Sequence, residues 1–317
     1  MGAEGRQKGI YAALSSALFL GIVPIFGKIA LLSGFSSFAV IAIRTTVAAL
    51  LMFILIAVRM RSYFYIYPFG LIGCLLAGLV NGLGSILYYS ALSRLDAGIG
   101  HMLYSSYPLF VAIWLVLDRQ SISRMTIFRL VLTVPAVLLL IIPGGHTVDL
   151  TGALMMIGSA ILYALHMLIN QRILFEAPAP TVTLYTLLAM AATVNIAFII
   201  TGMKLPAPET PWWPVLAMAL ITFASRLMLF TGIKHLGGMQ TALLGLAELI
   251  VTVALAQMWL GEQLTYSQWI GAVLLMISLL LVGIDKAAPQ KRGATGLLAW
   301  LNPPTLPTTD LPWNSRP

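Results

Sequence analysis

The sequence predicts an all-α integral membrane protein of ten transmembrane helices, on three observations. Its 317 residues hold only 18 Lys plus Arg and 10 Asp plus Glu, or 9% charged, against 60% hydrophobic; soluble proteins carry about 25% charged residues. Apolar runs of spanning length, about 17–25 residues, recur along the chain. The charges segregate: Lys28, Arg44, Arg129, Arg226 and Glu248 alone fall inside those runs. With a mean hydropathy of +0.96, so much apolar surface cannot be hidden in one water-soluble core. A soluble enzyme, a secreted disulfide scaffold and a disordered chain are excluded. The single cysteine, Cys74, admits no intrachain disulfide.

The spans are read at 10–29, 37–58, 68–90, 99–117, 126–143, 152–170, 182–202, 213–233, 241–260 and 267–284. Unbroken runs of this kind indicate helices, since barrel strands would alternate in segments of about ten residues. The first follows Arg6 and Lys8, but its apolar length marks a retained helix, not a signal peptide. The second carries Arg44. The third holds Gly78-x-x-x-Gly82, a close helix-packing face. The fourth runs into Asp118-Arg-Gln-Ser121, whose serine can cap the next helix. The fifth ends at the turn Pro143-Gly144-Gly145. The sixth and seventh contain Asn170 and Asn195, read as interhelical hydrogen-bond groups. The eighth carries Arg226. The ninth carries Glu248 and runs into Glu262-Gln-Leu-Thr265, with Thr265 placed to cap the tenth. Residues 285–317 are polar and Pro-rich and are expected to form a disordered cytoplasmic tail; the stretch 297–301 could instead lie on the membrane.

Lys and Arg bias sets the orientation. With residues 1–9 as a cytoplasmic N-terminus, inner segments hold Arg6, Lys8, Arg59, Arg61, Arg119, Arg124, Arg172, Lys234, Lys286, Lys291, Arg292 and Arg316, and outer loops only Arg94 and Lys204. Both termini are then cytoplasmic, in the plasma (cell inner) membrane. The net charge of +8 and pI near 9.7 follow from this bias, with no nucleic-acid partner implied.

The halves 10–143 and 152–284 repeat. Gly9, Ser16 and Ala17 match Gly152, Ser159 and Ala160; Leu92-x-x-Leu95 matches Ile233-x-x-Leu236; Asp118–Ser121 matches Glu262–Thr265. The shift grows from 141 to 144 residues, so the first half lacks about one helical turn near the fourth span. Five spans per repeat is odd, which gives an inverted repeat, a layout of many secondary transporters with substrate held at the midplane.

Within this frame, Ala91-Leu-Ser-Arg-Leu-Asp-Ala97, Tyr107-Pro108-Leu-Phe and Leu260-Gly261-Glu262-Gln-Leu-Thr265 resemble the EamA-type family of the drug/metabolite transporter superfamily, as does Arg44 in the second span. The likeness covers about 10–284. The first half departs from it with Val-Leu-Asp118 in place of Leu-Gly-Glu, and the second with Leu249 where the family often has proline. The resemblance implies two EamA repeats and a carrier of metabolites, amino acids or drugs, usually outward. It also implies a central cavity between spans 1–4 and 6–9, spans 5 and 10 at the periphery for packing or a homodimer, and no cofactor or metal.

Charge inside hydrocarbon costs about 2.5–3.5 kcal/mol on insertion scales and marks a cavity or a partner. Lys28 and Arg129 lie near span ends and are expected to snorkel to the interface. Counting about 1.5 Å per residue places Arg44, Asn81, Tyr104 and Tyr107 in an outer-half cluster, and His166, Arg226 and Glu248 in an inner-half one. Arg226 and Glu248 are expected to pair, either as a static packing pair or as a coupling site. Glu248 is the candidate for proton coupling. His166 is a relay or a hydrogen-bonded packing histidine, and His101 is placed at the interface. Arg44 anchors an anionic group or the outer gate, or else bonds helix-end carbonyls. For Tyr88, Tyr89, Tyr163 and Trp114, packing is favoured over cavity lining.

The functional expectation is a secondary transporter of a small metabolite (an amino acid, organic anion or drug-like compound), exporting by alternating access. An importer or antiporter of organic anions is the alternative within the class. A membrane-embedded enzyme is the rival outside it, weakened by the lack of a His-Glu-x-x-His or Gly-x-Ser-x-Gly element. The expected partners are a small-molecule substrate and the lipid bilayer.

Overall fold

A computed structural model describes residues 3–119, 124–141, 149–262, 265–281 and 296–297. Its long helices are α1 (Ala3–Leu32), α2 (Ser37–Arg59) and α3 (Pro68–Leu92), then α4 (Ala97–Tyr104) with α5 (Tyr107–Leu117), and α6 (Arg124–Ile141). The second half continues with α7 (Leu150–Leu174), α8 (Ala179–Ile200), α9 (Trp213–Leu236), α10 (Gly238–Gly245) with α11 (Ala247–Leu260), and α12 (Tyr266–Leu280). A short 3-10 turn, Arg61–Phe64, follows α2. Among the described residues, eight stretches are long and apolar enough to cross a bilayer: α1, α2, α3, α4 with α5, α7, α8, α9, and α10 with α11. Helices α6 and α12 lie at the other two expected positions. The turn at 143–145, Ser121 and nearly all of the tail lie outside the described residues.

One boundary differs from expectation. α1 starts at Ala3, so Glu4, Arg6 and Lys8, ahead of the apolar run that begins at residue 10, are already helical. No proline interrupts 3–23, and hydropathy reports where lipid begins, not where a helix does.

Two expected spans are broken, and at matching places. α4 and α10 are each 8 residues long, and α5 has 11 residues where α11 has 14. The missing helical turn thus lies in α5. In the first half, Ser105 and Ser106 donate their hydroxyls to the carbonyls of His101 (2.8 Å) and Leu103 (2.7 Å), and Pro108 supplies no amide. In the second half, the Leu246 amide bonds Leu243, and the Tyr107 hydroxyl donates to the carbonyl of Ala242 at 3.0 Å. A residue of the first break therefore satisfies a backbone group of the second.

The two halves interlock. α1 packs on α9 as α7 packs on α3, α1 meets α11 as α7 meets α5, and α2 lies against α8 and α6 against α12. Each of these pairings exchanges with its repeat counterpart or maps onto itself. Gly78 and Gly82 carry the α3–α8 crossing, where a Cβ at Gly78 would stand 2.7 Å from the Thr186 carbonyl oxygen. Asn195 donates to Thr46 at 2.7 Å, and Thr186 donates to Asn170 at 3.2 Å, so both asparagines bond between helices. The outer surface is apolar, with Leu79, Leu83, Val131, Leu220 and Trp259 exposed, as lipid contact requires.

Candidate functional site

The helix breaks and the interlocked halves leave a partly open cavity whose empty space, counted with the solvent-open part at its mouth, is about 520 Å³. Its walls come from both halves: Leu20, Val23 and Pro24 of α1, Arg44 of α2, Asn81, Ser85, Tyr88 and Tyr89 of α3, His101 and Tyr104 of α4, then Ser159 and Tyr163 of α7, Arg226 of α9 and Glu248 of α11. Pro24, inside α1, has no N–H to offer the Leu20 carbonyl one turn back.

Five of the seven residues singled out from sequence line this space: Arg44, Asn81, Tyr104, Arg226 and Glu248. Tyr107 and His166 stand directly behind them. The Tyr107 ring meets Tyr163 edge-on at 5.1 Å. The His166 ring stacks on Tyr163 at 5.9 Å. Its Nδ1 lies 3.0 Å from the Ala77 carbonyl, to which it must donate. Nε2 is then an acceptor, 3.4 Å from the Arg226 guanidinium. His166 thus joins α3 to Arg226 of α9 through its two ring nitrogens.

Arg44 is buried, with its guanidinium 5.1 Å from the centre of the Tyr89 ring. Among the described residues it makes no hydrogen bond and no ion pair, so it does not cap helix carbonyls. The Nε atoms of Arg44 and Arg226, Tyr89 Oη, His101 Nε2 and Glu248 Oε1 are all buried without a hydrogen-bond partner. Orphaned groups of this kind are rare in folded proteins, and here five of them surround one cavity. Leaving a buried ion unpaired costs about 3–5 kcal/mol, so stability alone would not gather these groups.

Several expectations need correction. Arg226 and Glu248 share the cavity without forming a direct ion pair among the described residues. Arg226 is drawn instead over the Tyr163 ring, at 5.8 Å, and towards His166. Glu248 Oε1 stands 4.0 Å from His101 Nε2. His101 is not interfacial: it is buried and lines the cavity, with its Nδ1 3.2 Å from the Tyr88 hydroxyl. The Ser105-Ser106-x-Pro108 sequence was the available signal, because a helix broken there turns its first segment inward. The outer and inner clusters are one site. Layers separated by roughly 10 Å along the helices are bridged by long side chains, through the ring series Tyr88, Tyr104, Tyr163 and His166. Tyr88, Tyr89 and Tyr163 line the cavity, whereas Trp114 does not and donates to Ile161 at 3.3 Å.

Two further sites escaped the sequence reading. Arg172, counted among the cytoplasmic cations, is buried in α7 and binds Asp118 at the end of α5, with Nη2 at 2.6 Å and Nε at 3.2 Å. Lys28 does not snorkel: its ammonium donates to the Leu92 and Leu95 carbonyls at 3.0 and 2.7 Å, closing the end of α3. Arg129 sits on α6, and its side chain lies outside those described. Beside Lys28, Glu262 takes the free amides at the start of α4, Ala97 at 2.8 Å and Gly98 at 2.7 Å. Gly261 (φ 69°) ends α11 in the left-handed conformation and turns Glu262 towards α4. Burial raises the Glu262 carboxyl above its ordinary range, although the two amides and Lys28 pull it down.

Comparison with known proteins gives this architecture a family. The chain is 28% identical over 228 residues to the uncharacterized transporter sll1319 of Synechocystis, covering 69% of this chain and 67% of that protein. It is 26% identical over 201 residues to the uncharacterized transporter YcbK of Bacillus subtilis, covering 60% and 64%. A third relative, the uncharacterized transporter YwfM of Bacillus subtilis, is 24% identical over 217 residues, covering 65% and 70%. One solved crystal structure superposes with a TM-score of 0.67 over 87% of this chain and 97% of its own, at 15% identity, a likeness of fold alone. The EamA-like transporter family profile matches twice, at 7–142 and 150–284, once for each half that interlocks around the cavity, and the chain belongs to that family.

Proposed function

We propose that this membrane transporter is a secondary carrier that exports a small metabolite by alternating access, with the cavity as its substrate site. The carrying observation is the set of five buried, unpartnered polar atoms around a cavity built from both halves. Ten spans in two inverted five-helix repeats, with both termini in the cytoplasm of the cell, fit this reading and the observed pairing of α1 with α9 and α7 with α3. Broken helices at the cavity also fit, since transporter sites are commonly built where helices are interrupted. In this scheme Arg44 and Arg226 hold the substrate, Glu248 and His101 are the exchangeable proton sites, and Asn81, Tyr104 and Tyr107 shape the wall. The α6–α12 pair is the surface for a homodimer.

The test is a metabolite profile of cells overproducing the protein beside its Arg44→Ala and Glu248→Ala variants. A substrate accumulates outside, or is depleted inside, only with the wild type. Equal profiles for all three remove the cavity from the transport path. Full transport with unchanged pH dependence in Glu248→Gln removes the carboxyl from coupling while leaving the carrier reading intact.

A further inference from the structure

Resting on the carrier reading, we infer that the cavity's ligand is a small organic anion, held at its acidic group between the guanidinium groups of Arg44 and Arg226. The charges facing the cavity do not balance. α2 and α9 each contribute a guanidinium, which stays protonated in proteins. Against them stands one carboxyl, Glu248 of α11. The remaining titratable groups, His101 of α4, His166 of α7 and the tyrosines of α3, α4 and α7, include no carboxyl. At least one positive charge is therefore uncompensated on side chains that are themselves buried. The two arginines are 4% and 6% exposed.

Hydrogen bonding points the same way. Arg44 has no partner among the described residues, and Arg226 has one long contact, to His166. Each guanidinium carbon lies over an aromatic ring, Arg44 over Tyr89 at 5.1 Å and Arg226 over Tyr163 at 5.8 Å, and a ring face does not replace the N–H acceptors that the fork of a carboxylate or phosphate supplies. A cation would add to the excess charge, and a neutral ligand would leave it standing. Tyr88 and Tyr104, edge to face at 5.0 Å, supply an apolar wall for the body of the molecule. Glu248 does not neutralise the arginines directly, and its free Oε1 faces a hydrogen-bond donor on the ligand or a proton.

The experiment uses the full chain in detergent and three probes of one shape: benzoate, benzyl alcohol and benzylamine, at matched ionic strength, with phenyl phosphate as a second anion. Thermal unfolding is read against concentration. The expected result is a rise in Tm with an anion and none with the alcohol or the amine. Arg44→Gln and Arg226→Gln each weaken anion binding by about tenfold or more. Without ligand, neither variant melts below the wild type, because each lowers the excess of buried positive charge; a structural arginine would give the opposite. Glu248→Gln, which removes the like charge, tightens anion binding. If neither anion raises Tm, or if benzylamine or benzyl alcohol binds better in an arginine-independent way, the inference is overturned. Flux of labelled benzoate through proteoliposomes separates the two readings: arginine-dependent binding without flux leaves the anion site standing and removes the carrier reading. Flux of the amine or alcohol does the reverse.

Discussion

The starts of α4 and α10 are repeat equivalents, yet they are clamped by different chemistry. At α4, Glu262 accepts both exposed amides, and Lys28 from α1 closes the carbonyls of the preceding helix. At α10, the Gly238 amide bonds the neutral side chain of Gln171 at 2.8 Å, and Lys234 reaches the Ala177 carbonyl at 3.2 Å. Asp118, the repeat counterpart of Glu262, is bound by Arg172. The α4 clamp is therefore acidic and half-buried, whereas at the α10 end charge is sealed inside an ion pair. Two ends that began alike have diverged into one clamped by a half-buried carboxyl and one clamped by a neutral amide.

The largest effect is expected at the sealed pair. Arg172→Met leaves Asp118 buried without its cation and is expected to cost about 3–5 kcal/mol, read as a steep loss of Tm in detergent. The double variant Asp118→Leu with Arg172→Met should recover most of it, since an apolar pair of similar size is often neutral. No recovery would mean that the pair also positions α5 on α7.

Next comes the crossing that holds the halves together. Gly78→Val places methyl groups against the Thr186 carbonyl and is expected to cost about 1–3 kcal/mol by overpacking. Gly34→Val, where nothing lies within reach of a Cβ, is a control for space but not for backbone, because φ is +102° there. Gly158→Ala, with its one neighbour at 3.2 Å on the flexible Leu87 side chain, is the better control and should change Tm little.

Loss of the neutral clamp is expected to be smaller. Gln171→Leu removes the acceptor at Gly238 and should cost about 1 kcal/mol, as a lost helix cap does. Faster hydrogen exchange confined to the start of α10 would localise the effect. An unchanged exchange pattern would show that this clamp holds nothing.

The smallest effect, and the one that separates the two ends, is the pH response of Glu262→Gln. The folded carboxyl titrates above its unfolded value because burial outweighs the amides and Lys28. The folded state therefore binds the proton more tightly than the unfolded state does, and wild-type stability at this site falls as pH rises through the folded value. Glu262→Gln should match or exceed wild-type Tm at neutral pH, with its advantage vanishing as pH falls towards the ordinary glutamate range, about 4.3. A gap independent of pH would sink the distinction between the ends.

The repeat was legible because it is written in residues of nearly constant offset, such as Ser16 with Ser159 and Asp118 with Glu262. The shortened fourth span was legible too, as a growing shift, and reappears as the 11 residues of α5 against the 14 of α11. Rarity made Arg44, Arg226 and Glu248 visible, because a charge in an apolar run has few bland explanations. His101 and Arg172 were not visible in this way. His101 was placed by counting along a helix that is in fact broken at Ser105, and Arg172 was placed by hydropathy, which does not see that Asp118 waits for it across α5 and α7.

By itself the sequence determined the solvent of this protein, its all-helical class, its two repeats and which charges fall inside apolar runs, because each is set by composition or local spacing. Only the tertiary structure decided which of those residues meet. Arg226 lies against Tyr163 and His166 and not against Glu248, and two expected clusters form one cavity. A buried ion takes whichever partner the crossing helices bring within a few ångströms, and helix crossings are fixed by packing between distant parts of the chain.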